Sequence, residues 1–209
     1  MKRLLIITAL AALISLPMPA LCAEMGSSGG YDLDRLLEQA ESSFSFSEND
    51  AVFLLSRELT EITENGDLKT VVHTVVRIGS RSSIRSYADL RVPYNTENSE
   101  FATVKLRTWM DDRWWPDPQK ISETAVVRTL PFALAEASDY NSIREVMLLH
   151  DGVELPCVME TEYSITERGG AERVPGGFEI LAMNDPAVLV ERIVSVPSRI
   201  DLKHSSGNG

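Results

Sequence analysis

Cys157, three histidines and two close pairs of acids are the side chains of this sequence best suited to chemistry. An exported cysteine enzyme would need a thiolate next to a base. The residues around Cys157 argue against one. Leu155, Cys157, Met159, Thr161, Tyr163 and Ile165 alternate with Val158, Glu160, Glu162 and Ser164. That period of two is a β-strand with Cys157 on its apolar face, where burial raises a thiol's pKa. His73, His150 and His204 stand at no metal-ligand spacing, and the expectation is three unrelated surface or half-buried side chains. Asp111-Asp112 reads as turn chemistry. Glu160 and Glu162 read as the outer, solvated face of their strand. No Gly-rich phosphate loop, calcium loop or GxSxG motif is present. Neither a catalytic residue, a metal nor a cofactor is expected.

Aromatic residues offer a different chemistry. Trp109, Trp114, Trp115 and Tyr94 cluster in the middle of the sequence. Neighbours on a strand point to opposite faces, so Trp114 and Trp115 cannot both be buried in one core. An exposed tryptophan could stack on a sugar or anchor a partner chain, which makes Trp114 and Trp115 the candidate ligand-binding residues.

The elements that must position these residues are mostly strands. Asp32–Ser43 reads as an amphipathic helix, with Leu33, Leu36, Leu37 and Ala40 on one face and Asp32 as its N-cap. From Ala51 the pattern becomes β. Val52–Thr63 and Leu68–Ile78 flank Asn65-Gly66, a type I′ hairpin signal. Further strands are expected at Arg85–Val92 (stopped by Pro93), Phe101–Met110, Ile143–Leu149, Leu155–Ile165, Phe178–Met183, Val188–Val196 and Ile200–His204. Residues 116–141 are less regular. With no alternating βαβ pattern, the expected fold is all-β: an antiparallel sandwich of about ten strands with one short N-terminal helix.

Met1–Ala23 reads as a signal peptide. Lys2 and Arg3 precede an apolar run from Leu4 to Leu16, and Pro17 and Pro19 precede small residues ending at Ala23. The run is too short to span a bilayer as a helix. Residues 24–30 (EMGSSGG) read as a flexible linker, 31–204 as a single domain and 205–209 as a disordered tail. The 209 residues carry a net charge of −11, and loss of Lys2 and Arg3 makes it two units more negative. Such acidity argues against nucleic acid or an anionic membrane surface as a partner. A bacterial periplasm or the exterior is the expected destination, without stable membrane insertion after processing.

Several segments, taken in order, resemble a bacterial domain-of-unknown-function family found ahead of transglutaminase-like domains in exported proteins. They are the hairpin Asp50–Ile78 after a short helix, YADLRVPY at Tyr87–Tyr94, VKLRTWMDDRW at Val104–Trp114, GVELPCVMETEY at Gly152–Tyr163 and PAVLVERIVSVP at Pro186–Pro197. The similarity runs from about Leu33 to His204. It departs where Leu155-Pro156-Cys157 replaces the family's Pro-Gly-Asp, and Cys157 falls on no catalytic position. The resemblance implies a non-catalytic β-sandwich that interacts with, or is accessory to, a transglutaminase-like domain or a cell-envelope protein. A carbohydrate-binding module built on Trp114 or Trp115 is the alternative.

Overall fold

A computed structural model describes residues 2–10, 30–46, 49–116, 121, 125–137, 142–170, 184–201 and 203. In chain order these form β1 (Lys2–Leu10), α1 (Leu33–Ser43), β2 (Ala51–Ile62), β3 (Leu68–Ile78), α2 (Arg81–Tyr87), β4 (Asp89–Asn95), β5 (Ser99–Met110), β6 (Arg113–Trp115), β7 (Val126–Thr129), a 3-10 helix (Phe132–Ala137), β8 (Ile143–Leu149), β9 (Cys157–Glu167) and β10 (Leu189–Pro197). The larger sheet has the order β1-β10-β2-β3-β9-β5-β6 and the smaller one β4-β8-β7. The expected all-β sandwich is therefore the fold. Its pairs are antiparallel except β2 with β10, which run parallel and are extended by Phe53 bridging Ala187.

The larger sheet is covered on both faces. On one lies α1, capped by the Asp32 carboxylate accepting from the Arg35 N–H at 3.1 Å. Its Leu36 and Ala40 are buried against Val52, Leu54, Val75 and Val158. Alternate residues face the other way. There Val76, Ile78, Cys157 and Met159 pack beneath Ile84 and Tyr87 of α2, while Leu106 meets Val146 and Leu148 of the smaller sheet. The result is a helix, a large sheet, and a small sheet with a second helix, held by apolar burial of alternate strand residues.

Local chemistry explains where the sequence-based expectations shift. The β2–β3 connection is not type I′. Gly66 has φ +84 while Asn65 has no positive φ, and the Gly66 N–H donates to the Thr63 carbonyl at 3.0 Å. That is the longer loop in which a turn is followed by a left-handed glycine. The turn with two positive φ values is instead at Asp111 (+50) and Asp112 (+57), directly between the paired Met110 and Arg113. The expected strand Arg85–Val92 begins as helix α2, whose N-cap Ser80 accepts from the Ser83 N–H. Pro93 does not stop the following strand. It lies within β4, an edge strand, where a missing N–H is tolerated.

Residues 178–183, 202 and 204 fall outside the described residues, as do the linker 24–29 and the tail 205–209. Ile200, Asp201 and Lys203 are described and are not strand. Lys2–Leu10, from the segment read as a signal peptide, lies along β10 as an edge strand. Among the described residues no helix is long and apolar enough to cross a membrane.

Candidate functional site: a sealed charge cluster and an exposed tryptophan

Cross-strand register brings the chemistry-bearing residues together. On the α1-covered face, β3, β9 and β5 place His73, Glu162 and Lys105 in one row, and Val75, Glu160 and Arg107 in the next. Side chains directly opposite one another interact across an antiparallel ladder. Here they form one polar cluster. His73 Nε2 donates to Glu160 Oε1 at 2.7 Å, and Arg107 Nε donates to Glu160 Oε2. Lys105 Nζ lies 2.8 Å from Glu162 Oε2 and 3.4 Å from Glu160 Oε1. The His73 side chain is 1% exposed and that of Glu160 0%.

This overturns two expectations. Glu160 and Glu162 are opposite Cys157, as the alternation requires, yet they are not solvated, because Tyr31 and α1 lie over that face of the sheet. His73 is neither at the surface nor half-buried. Single-strand alternation shows which face a residue takes and says nothing of what covers that face.

The electrostatics fit a structural role. Burial alone would raise the Glu160 carboxyl, but hydrogen bonds from His73 and Arg107, with the charges of Arg107 and Lys105, hold it at about 2. Tyr31, its ring 5.5 Å from that of His73, has its pKa raised by burial and by Glu160. Its hydroxyl and His73 Nδ1 are buried without a hydrogen-bond partner among the described residues. Both carboxylates of the cluster are already met by cations. Among the described residues no group of three His, Cys, Asp or Glu side chains is arranged to hold a metal ion.

On the opposite face His150 Nε2 is 2.8 Å from Thr161 Oγ1, and His150 Nδ1 is 3.4 Å from Thr108 Oγ1. Burial pushes this imidazole down to about 4, against a backbone hydrogen bond at Arg107 and the charge of Glu160. His73 and His150 lie on opposite faces of the sheet, against the adjacent residues Glu160 and Thr161 of β9, and His150 is half-buried as expected. His204 lies outside the described residues. Cys157 is buried as expected, and burial pushes its thiol up to about 11.

The two candidate ligand-binding tryptophans separate. Trp114 is half-buried, edge-on to Trp109 at 5.3 Å and beneath the Arg107 guanidinium at 4.0 Å. Trp115 is 47% exposed at the end of β6. It packs beside the β8–β9 loop, where a Cβ at Gly152 would come within 2.9 Å of Trp115 Cδ1. Leu155 of the same loop is also exposed. Tyr94 packs in the smaller hydrophobic cluster against Phe101.

Comparison with known proteins places the fold. A protein from Parabacteroides distasonis, described as a candidate protease, has a crystal structure that matches with a TM-score of 0.60 at 21% identity. The match covers 72% of this chain and 29% of that one, so this chain spans less than a third of its length. At that identity the likeness shows the fold alone. No curated protein matches the sequence. A sequence profile matches residues 64–209, from the β2–β3 loop onward, and on that match the chain belongs to the DUF3857 family, a domain of unknown function for which a structure has been solved.

Proposed function

We propose that this chain is an exported, non-catalytic β-sandwich module that binds a partner protein in a transglutaminase-like or protease-like system. The observation that carries the reading is how its reactive side chains are used. Cys157 points into the core, His73 is engaged by Glu160, and His150 lies against Thr161. Each of these histidines is engaged by a residue other than Cys157, so among the described residues the thiol has no base beside it. The occurrence of the same fold as 29% of a larger chain described as a candidate protease supports a companion role beside a catalytic unit. The apolar run Leu4–Leu16 and the small residues before Glu24 support export.

The test mixes the purified chain with each transglutaminase-like and protease-like protein of its own cell envelope. Expected are co-elution with one of them and no turnover of peptide substrates by the chain alone. Peptide hydrolysis by the chain that disappears in Cys157→Ser would overturn the reading.

A second reading rests on Trp115. Its exposure beside Leu155 suits stacking on a sugar ring, whereas Trp114 is taken up by Trp109 and Arg107. Glycan binding lost in Trp115→Ala and kept in a distant surface variant would favour it.

A further inference from the structure

Strand β10 has an anchored side and an outer side. Inward it runs parallel to β2, Val190 opposite Ser56 and Ser195 opposite Glu61. Outward it is lined by β1, antiparallel and without a register break, from Lys2 opposite Pro197 to Leu10 opposite Leu189. Removal of Met1–Ala23 on export would leave that row of backbone N–H and C=O groups with no other described strand beside it. Exposed edges are ordinarily guarded by proline, bulges or outward charge. From Leu189 to Val196 there is no proline, and the only charged residues, Glu191 and Arg192, turn back to the neighbouring strand. Glu191 Oε2 is 2.6 Å from Arg57 Nε, and Arg192 Nε is 3.8 Å from Glu58 Oε2.

We propose that the β10 edge is a strand-acceptor site, filled in the unprocessed chain by Lys2–Leu10 and afterwards by an extended apolar segment of a partner polypeptide, antiparallel and in the same register. The proposal deepens the binding role above and rests on it. The occupant's chemistry is that of the segment already seated there. KRLLIITAL has no acidic residue, a run of Leu and Ile, and a basic end suited to an acidic protein. Backbone hydrogen bonds would supply affinity and alternate side chains the selectivity.

The experiment follows hydrogen exchange at residues 189–197 in the full chain, in the full chain carrying Leu5→Pro and Ile7→Pro, and in a chain starting at Glu24. The probe is a synthetic peptide of residues 2–10. Expected are slow exchange in the full chain, loss of protection of at least tenfold in the other two, and its return on adding the peptide but not a peptide with the same two prolines. If the shortened chain fails to fold, the proline variant carries the test. Fast exchange that the peptide does not slow, in a protein otherwise folded, overturns the proposal. A concentration-dependent dimer that protects residues 189–197 without peptide assigns the edge to a second copy and also overturns it. A partner that binds without changing this protection keeps the module's binding role and removes this site.

Discussion

Glu160 on β9 is held from both sides, by His73 of β3 at 2.7 Å and by the Arg107 guanidinium of β5. One carboxylate thereby ties together three adjacent strands at the centre of the larger sheet. Losing it would leave the buried His73 and the half-buried Arg107 guanidinium uncompensated, which typically costs about 3–5 kcal/mol. Glu160→Gln is accordingly expected to destabilise the protein by about 3 kcal/mol in urea unfolding. Arg199→Ala breaks an ion pair with Glu64 in which both side chains are 59% exposed, and should cost less than about 0.5 kcal/mol. Equal effects of the two would contradict the burial of the cluster.

Acid sensitivity has a named source. The folded state holds His150 near 4, below its ordinary 6.5, so the unfolded chain binds the proton first as pH falls. Stability is therefore complete above about 6.5 and declines toward 4, by an amount on the order of 3 kcal/mol. Glu160 acts in the same direction over a lower window, from its ordinary 4.5 down to about 2. Thermal melts of His150→Asn should lose the upper part of this pH dependence and keep the lower. An unchanged slope between pH 6.5 and 4 would show that His150 is not the group responsible.

Cys157 should be chemically silent in the native protein. With the thiol near 11, about one molecule in ten thousand carries a thiolate at neutral pH, and the residue is buried. Iodoacetamide is expected to modify it in urea and not in buffer, as read by intact mass. Cys157→Ser should lower stability by about 1–2 kcal/mol, since it puts a hydroxyl against Ala51, Phe53, Val76 and Met159.

The adjacent tryptophans should behave unlike each other. Trp114→Ala removes the edge-on contact with Trp109 and the ring beneath Arg107, and is expected to cost about 2–3 kcal/mol. Trp115→Ala should cost less than about 1 kcal/mol. Gly152→Ala combines a φ of +66 with the close approach to Trp115, so it should both destabilise by about 1–2 kcal/mol and shift tryptophan fluorescence. Comparable melting temperatures for the two tryptophan variants would count against this arrangement.

Much of the fold was legible in the chain because periodicity reports facing. The Asp32 cap, the stripe from Leu33 to Ala40 and the alternation through Cys157 each read directly onto α1 and β9. Turn type was less legible. Asn65-Gly66 looks like a two-residue hairpin, but the ladder ends at Ile62 and Leu68 and leaves room for the longer loop. The polar cluster was not legible at all. His73, Lys105, Arg107 and Glu160 are brought together by ladders whose strands are far apart in sequence, and no local pattern encodes a register between distant strands. The signal available was Glu160 and Glu162 on one face of β9 with Lys105 and Arg107 on one face of β5, two alternating charge sets of opposite sign.

The parallel pairing of β2 with β10 has a consequence in time. β2 is among the first strands to emerge, and its partner is the last of the described strands. While the intervening chain is being made, one flank of β2 stays bare, and closing so long a loop is slow. Completion of the central sheet thus waits on Leu189–Pro197. A product clipped before that segment would carry an open β2 flank, a mark by which proteases or chaperones could distinguish it from the finished molecule.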